Sequence, residues 1–260
     1  MRISAVTRFL ALSLFSFVAI AGTAIAEESS ALKVLLITGG CCHDYPFQTK
    51  ALQDAAKDRG VDIDWTVVNE GGNGTSAQIE LYSNPDWAKG YDVVVHNECF
   101  ASTTDEDYIR SITKAHFEGA NAVVIHCAMH TYRDAKIDDW QQMLGVTSRH
   151  HEHQSHYLVK NARPDHPAMK GFPKEWTTPK DELYIIKKVW PNTKVLATSV
   201  SEKTGELQPV IWANTYGKSR VFGTTYGHSN ATFEDTVFLD AIMNGLQWAA
   251  GRHASVAAGK

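Results

Sequence analysis

The sequence contains only four cysteines and no block of basic residues among its 260 positions. Four cysteines are too few for a disulfide-dense scaffold. Without a basic block, the chain lacks the electrostatic footprint of a nucleic-acid-binding protein and the basic face of a helix that lies on a membrane. These absences argue against a nucleic-acid partner and against a basic membrane-binding face, and the sequence leaves the oligomeric state open.

The first 26 residues have the pattern of a secretory signal. Arg2 and Arg8 supply positive charge, an apolar run extends over residues 9–20, and Ala24 and Ala26 fit the small-residue rule for cleavage. The run is short for a membrane anchor, although an uncleaved anchor is the alternative. We therefore expect an exported protein, periplasmic or extracellular, without a membrane partner after cleavage. Cleavage leaves 23 basic against 29 acidic residues, a net charge of −6.

The cysteines are Cys41, Cys42, Cys99 and Cys127. An exported protein can pair two of them. A bridge between the adjacent Cys41 and Cys42 would be strained, which favours a bridge from one of these two to Cys99 or Cys127. The spacing does not fix the connectivity.

The first half of the chain alternates between apolar runs and helical patterns. Buried strands are predicted for "LKVLLITGG", "VDIDWTVV", "YDVVVHNECF" and "NAVVIHCA", with helices at "FQTKALQDAAKDRG" and "TDEDYIRSITKAHFEG". This rhythm is typical of an α/β fold, with a mostly parallel sheet and helices on both faces. Additional strands are predicted after residue 145, followed by a final helix at "DTVFLDAIMNGLQWAAG". We expect one domain over residues 27–252 and a disordered tail over 253–260.

Several strands end in side chains that carry chemistry. Ligands bind at the carboxyl ends of parallel strands. These side chains together are therefore a candidate site, although any one of them alone would be weak evidence for a site. Its members are His43 and Asp44 after the first strand, His96 and Glu98 in "HNECF", His126 and His130 in "HCAMHTY", and His228 in "GTTYGHSN".

Two mechanisms compete for this group. A metal site would use neutral imidazoles with a carboxylate, namely His96, Glu98, His130 and His228, and would bind one divalent ion with a position open for water. A metal-free site would use one histidine as a base and a carboxylate to orient it. A nucleophilic Cys127 is disfavoured because its neighbour on the strand side is the bulky His126, where a nucleophile elbow carries a small residue.

The segments "HCAMHTYR", "HPAMKGFP", "DELY" and "YGKSRVFGTTYGHS" resemble the ThuA-like (trehalose-utilisation) family over nearly the whole chain after the signal. The resemblance implies a flavodoxin-like fold, similar to that of class I glutamine amidotransferases, without amidotransferase activity. It also implies a carbohydrate substrate and adds polar candidates at His166 and Glu182. Aromatic side chains that could stack on a sugar or contact it are Tyr45, Tyr132, Trp140 and Tyr184, together with the rings of His126 and His166.

Two functions remain open from the sequence. The first is an exported enzyme, of hydrolase, lyase or isomerase type, that acts on a glycoside or keto-sugar through histidines and carboxylates with or without a metal. The second is a non-catalytic sugar-binding or interaction module on the same fold. The histidine group favours the first.

Overall fold

The computed structural model describes residues 30–252. The predicted signal at residues 1–26 and the predicted tail at 253–260 lie outside the described residues. The strands are β1 (Leu32–Gly40), β2 (Ile63–Asn69), β3 (Val93–Cys99), β4 (Ala122–Ile125), β5 (Val146–Ser155), β6 (Leu158–Asn161), β7 (Glu175–Thr177), β8 (Asp181–Val189), β9 (Lys194–Val200), β10 (Leu207–Tyr216) and β11 (Ser219–Thr224). The α-helices are α1 (Tyr45–Asp58), α2 (Glu106–Glu118), α3 (Asp139–Leu144) and α4 (Thr236–Ala250).

Nine strands form one sheet in the order β2-β1-β3-β4-β11-β10-β9-β6-β7. The first five are parallel to one another, and β10, β9, β6 and β7 continue the sheet with antiparallel pairs. Strands β5 and β8 pair separately as an antiparallel two-stranded sheet. The predicted α/β class and the mostly parallel sheet are confirmed, and the additional strands after residue 145 form the antiparallel extension.

Helices cover both faces of the sheet, because its central strands are apolar on both sides. Buried residues of α1 and α4 belong to one hydrophobic cluster, and buried residues of α2 and α3 belong to a second cluster. Both long helices of the first half begin at an aspartate: Asp44 accepts a hydrogen bond from the backbone N–H of Phe47, and Asp105 from that of Tyr108. Among residues 30–252, no helix combines the length and apolarity that crossing a bilayer requires.

Candidate functional site

Three histidines meet at the carboxyl edge of the parallel strands. His43 follows β1, His126 follows β4 and His228 follows β11. One ring nitrogen from each lies within 4.8 Å of the others, and His43 Nε2 is 3.2 Å from His228 Nδ1. We call these residues the three-histidine cluster. His126 has a φ of 46°, in the left-handed region that non-glycine residues rarely adopt.

Hydrogen bonds fix which ring nitrogens are free to bind a ligand. His126 Nδ1 lies 2.6 Å from the carbonyl oxygen of Thr225, so it carries the proton and leaves Nε2 with a lone pair. His43 Nδ1 lies 3.3 Å from Tyr45 Oη, which itself donates to the carbonyl oxygen of Cys41 at 2.9 Å. Nδ1 of His43 is therefore the donor, and its Nε2 lone pair points into the cluster.

The carboxylate of Glu182 completes this cluster. Its Oε2 is 3.4 Å from His228 Nδ1, 3.6 Å from His126 Nε2 and 3.5 Å from His151 Nδ1. The side chain of Glu182 is only 10% exposed, whereas that of His151 is 41% exposed. Gln154 lies on the solvent side, with its side-chain amide 2.7 Å from His228 Nε2. The solvent-facing side of the cluster is therefore the side of His151 and Gln154.

Burial keeps the imidazoles of the cluster neutral. Burial, reinforced by the nearby His228, lowers the pKa of His43 to about 4. Burial also lowers the pKa of His126 well below its usual value, with His43 as a second cause. The pKa of His228 is lowered by burial and raised in part by Glu182. His43 Nε2 and His126 Nε2 direct lone pairs into the cluster, whereas the Gln154 amide donates to His228 Nε2 and leaves the proton of His228 on Nδ1, beside His43 Nε2. Neutral imidazoles beside one carboxylate are the donor set that a divalent transition metal prefers.

A buried carboxylate holds the loop that carries His228. Asp181 is fully buried and accepts hydrogen bonds from the backbone N–H groups of Gly227 and His228 and from Thr232 Oγ1. Burial raises its pKa to about 6, although these hydrogen bonds oppose the shift. Asp181 therefore positions His228 without itself lying among the ring nitrogens.

His130 lies beside the three-histidine cluster. Its ring stacks on Tyr184 with centroids 4.0 Å apart, and its Nε2 is 3.1 Å from Ser148 Oγ. Tyr184 Oη in turn is 3.4 Å from His126 Nε2. Tyr184 thus lies between the rings of His130 and His126 and contacts His126 at its Nε2, and all three side chains are buried.

His96 and Glu98 form a different, fully buried group. Glu98 Oε1 is 2.9 Å from His96 Nδ1, His96 Nε2 is 3.0 Å from His116 Nε2, and His116 Nδ1 is 2.7 Å from the carbonyl oxygen of Ala120. These residues lie between β3 and α2. The structure therefore does not bring together the four residues expected to form a metal site, because His96 and Glu98 pair with His116, and His130 stacks on Tyr184.

The protonation of this buried group follows from its geometry. His116 Nδ1 faces a carbonyl oxygen and must carry a proton. Burial lowers the pKa of His116 to about 3, with His96 as a second cause, so its Nε2 is bare and accepts from His96 Nε2–H. One further proton must then lie between His96 Nδ1 and Glu98 Oε1. The pair is neutral overall, which is the form that a dry core tolerates.

The other residues that the sequence suggested for the site make contacts that mainly stabilise the fold. Asp44 caps α1 and accepts a hydrogen bond from Asn230 at 3.1 Å. Tyr132 is fully buried and packs edge-on against Trp140 at 5.0 Å. His166 caps the short helix Pro167–Met169, and its ring centroid lies 5.2 Å from that of Trp248, on the wall of a separate cavity of about 1050 Å³.

Sequence reasoning missed three contributors to the site: His151, Gln154 and Asp181. The first two lie on β5 in the histidine-rich segment "HHEHQSH", where the sequence shows the residues but not the strand pairing. The β5–β8 pairing places Gln154 opposite Glu182 and His151 opposite Tyr184. Asp181 directly precedes Glu182 in the "DELY" motif. Its position next to a candidate residue was the sign in the sequence that Asp181 could belong to the site.

The disulfides differ from the sequence expectation. Cys41 is bonded to Cys42, and Cys99 is bonded to Cys127, so neither of the adjacent cysteines is bonded to a distant one. The disulfide between these adjacent residues closes a short ring, and the backbone accommodates it with a φ of 86° at Cys42. The expectation of a long-range bridge from this pair was wrong, because the chain adopts a rarely populated conformation there.

Two buried histidines outside the cluster should make stability depend on pH. Burial lowers the pKa of His116 and of His130 to about 3, whereas both take up a proton near their ordinary value of 6.5 in the unfolded chain. Stability present above pH 6.5 should therefore be lost as pH falls, by about 1.4 kcal/mol per pH unit for each histidine. Asp181, with a pKa raised from 3.8 to about 6, binds a proton in the folded state over that interval and opposes only part of this loss.

Urea unfolding of the metal-free protein at about pH 7 and about pH 5 measures this effect. His130→Phe keeps a ring against Tyr184 and removes the titration, so its stability should fall less with acid. His153→Gln is the matched control, because His153 is 52% exposed and pairs with Glu202 on the surface. If the free energy of unfolding fell equally with pH in the wild type and in His130→Phe, the lowered pKa assigned to His130 would be wrong.

Comparisons with known proteins agree with the fold. The family model described as "ThuA: Trehalose utilisation" matches residues 33–249. A ThuA-like protein from Parabacteroides merdae is 22% identical, with a TM-score of 0.69 over 86% of this chain and 92% of that one. A second, from Bacteroides uniformis, is 15% identical, with a TM-score of 0.64 over 86% and 94%. A search of curated proteins found no match.

A solved structure from Thermoplasma acidophilum, named as a GMP synthase protein, is also similar. It is 13% identical and has a TM-score of 0.53 over 85% of this chain and 95% of that one. At such identities the likeness concerns the fold alone. It agrees with the amidotransferase-like sheet, while Cys127 of this chain lies in a disulfide rather than as a free thiol.

Proposed function

Because the chain belongs to the ThuA (trehalose utilisation) family, we propose that it is an exported enzyme that acts on a keto-sugar or glycoside at the three-histidine cluster. The observation that carries the proposal is the convergence of three neutral imidazoles beside the nearly buried carboxylate of Glu182. Export is supported by Arg2, Arg8 and the apolar run before Ala26.

His43, His126 and His228 would hold one divalent cation through their ring nitrogens. The fit rests on the lone pairs of His43 Nε2 and His126 Nε2, which hydrogen bonds at the opposite nitrogens direct into the cluster. Such second contacts orient metal-binding imidazoles. When bound, the cation would act as a Lewis acid that polarises a sugar carbonyl or hydroxyl oxygen.

Glu182 is the base in this proposal. A keto group acidifies the neighbouring C–H, and a carboxylate in a largely dry position can take that proton. Its Oε2 faces the cluster at 3.4–3.6 Å from two of its histidines. The ring of His151, which is 41% exposed, lies 3.5 Å from the same oxygen, and its Nδ1–H donates to the carbonyl oxygen of Glu152 at 2.7 Å. After the proton is taken, expulsion of the glycosidic oxygen gives the product of a lyase. Later addition of water to that product completes hydrolysis. Return of the proton to a different atom of the sugar instead gives isomerisation.

The test is turnover of a 3-keto-disaccharide by the metal-loaded protein in D₂O, followed by NMR. We expect exchange of the proton next to the keto group, together with cleavage or isomerisation. Glu182→Gln should slow both by about 10²–10⁴-fold, the usual worth of a general base. Glu202→Gln is the matched control, because Glu202 is exposed and pairs with His153. Sugar binding without exchange or turnover would instead identify a non-catalytic sugar-binding module.

A further inference from the structure

The two disulfides lie against each other at the same sheet edge as the three-histidine cluster. Cys41 Sγ is 3.7 Å from Cys99 Sγ, and one sulfur from each of Cys41, Cys42 and Cys99 lies within 4.8 Å of the others. Cys42 is exposed and Cys41 half-buried, whereas Cys99 and Cys127 are buried. A solvent-facing disulfide therefore contacts a protected one.

The backbone holds this contact in place. Gly40 pairs with Cys99 in the β1–β3 register, and the N–H of Cys41 donates to the carbonyl oxygen of Cys99 at 3.4 Å. Gly40 has a φ of 91°, and a Cβ there would lie 2.3 Å from that same oxygen. Only glycine allows so close an approach. Cys42, with a φ of 86°, adopts a conformation that is costly for a side-chain-bearing residue and is found mainly at functional positions.

We propose that these four cysteines form a thiol–disulfide exchange centre that accepts electrons from an external dithiol. A thiolate of the dithiol attacks the exposed Cys42 sulfur, which forms a mixed disulfide and releases Cys41 as a thiolate. The second thiol of the dithiol attacks this mixed disulfide, so the dithiol leaves oxidised and Cys42 becomes a thiol.

The second step transfers the reduction inward. The Cys41 thiolate attacks Cys99 Sγ, the Cys41–Cys99 bond forms, the Cys99–Cys127 bond breaks and Cys127 leaves as a thiolate that takes up a proton. The dithiol has lost two electrons and two protons, and the protein has gained them as the thiols of Cys42 and Cys127. Attack on Cys99 follows from the geometry, because it is the sulfur of the buried disulfide that lies against Cys41.

The test maps disulfides in the mature wild-type protein after one equivalent of dithiothreitol, trapping with N-ethylmaleimide and non-reducing proteolysis with mass spectrometry. We expect a Cys41–Cys99 cross-linked peptide, with label on Cys42 and Cys127. Label on both Cys41 and Cys42 at every time point, with Cys99–Cys127 intact, would overturn the proposal. So would complete resistance of all four cysteines.

Two single variants test the direction of attack without any reductant. Cys42→Ser leaves the Cys41 thiol against the buried disulfide, so the Cys41–Cys99 peptide should appear with label on Cys127. Cys41→Ser is the matched control, in which Cys42 should take the label and Cys99–Cys127 should stay intact. Equal exchange in both variants, or none in Cys42→Ser, would contradict Cys41 as the attacking residue. The wild-type experiment decides the matter if either variant fails to fold.

Discussion

Replacement of His126 by alanine is expected to abolish binding of the divalent cation proposed for the three-histidine cluster and to lower kcat/KM for a 3-keto-disaccharide by at least about 10³-fold. The magnitude follows from the several kcal/mol that Lewis-acid stabilisation contributes to a transition state. His126 is the best choice because its Nδ1–H is fixed on the carbonyl oxygen of Thr225, and its Nε2 faces Glu182 and the hydroxyl of Tyr184 inside the site. The measurements are metal content by mass spectrometry and steady-state turnover.

The control for this experiment is His153→Ala, which removes an exposed imidazole and should leave both metal content and turnover unchanged. His43→Ala provides an independent second variant, because His43 is only partly buried and its loss should disturb the core less. Full metal content and full turnover in both His126→Ala and His43→Ala would rule out the three-histidine cluster as the metal site.

Replacement of Glu98 by alanine should destabilise the fold by about 3–5 kcal/mol, the usual cost of breaking a buried pair. The change leaves His96 Nδ1 without its partner in a dry core and opens a cavity between β3 and α2. For a domain of this size, each kcal/mol shifts Tm by about 2–4 °C. We therefore expect Tm to fall by roughly 10 °C, measured by calorimetry of the purified protein.

Glu98→Gln separates the charge of Glu98 from its hydrogen bond. The glutamine amide can donate to His96 Nδ1, while His96 Nε2–H still donates to His116. Because the native pair is neutral overall, this variant should lose no more than about 1 kcal/mol, the net worth of a typical hydrogen bond. If Glu98→Gln were as unstable as Glu98→Ala, the proton arrangement assigned to His96 would be wrong.

The apolar runs allowed most of the parallel sheet to be predicted. "LKVLLITGG" and "NAVVIHCA" are continuous apolar segments, and this pattern is typical of strands that are buried on both faces of a sheet. The sequence did not show on which side of its strand each histidine would lie. His96 lies within β3, and its Nε2 is 3.0 Å from Nε2 of His116 on α2, so its side chain enters the layer beneath α2. His43 and His228 lie beyond their strands and reach the edge.

The partners of the cluster were harder to predict than the histidines. Glu182 and Gln154 meet because β5 pairs with β8 with shifts in register, and long-range antiparallel pairing leaves no local signal in the sequence. The family resemblance supplied Glu182 as a candidate, whereas Gln154 had no signal beyond its position in a histidine-rich segment.

The two strands of the β5–β8 sheet contribute differently to the site: β8 carries Glu182, which faces the three-histidine cluster, and β5 carries exposed side chains around it. The histidines stand on the large sheet, whose central strands are packed on both faces and tolerate few substitutions. Gln154 and His151 stand on the small sheet with exposed side chains. Exchange of the segment Val146–Ser155 between family members is therefore expected to change the surface through which a ligand reaches the cluster, while the three histidines and Glu182 stay in place.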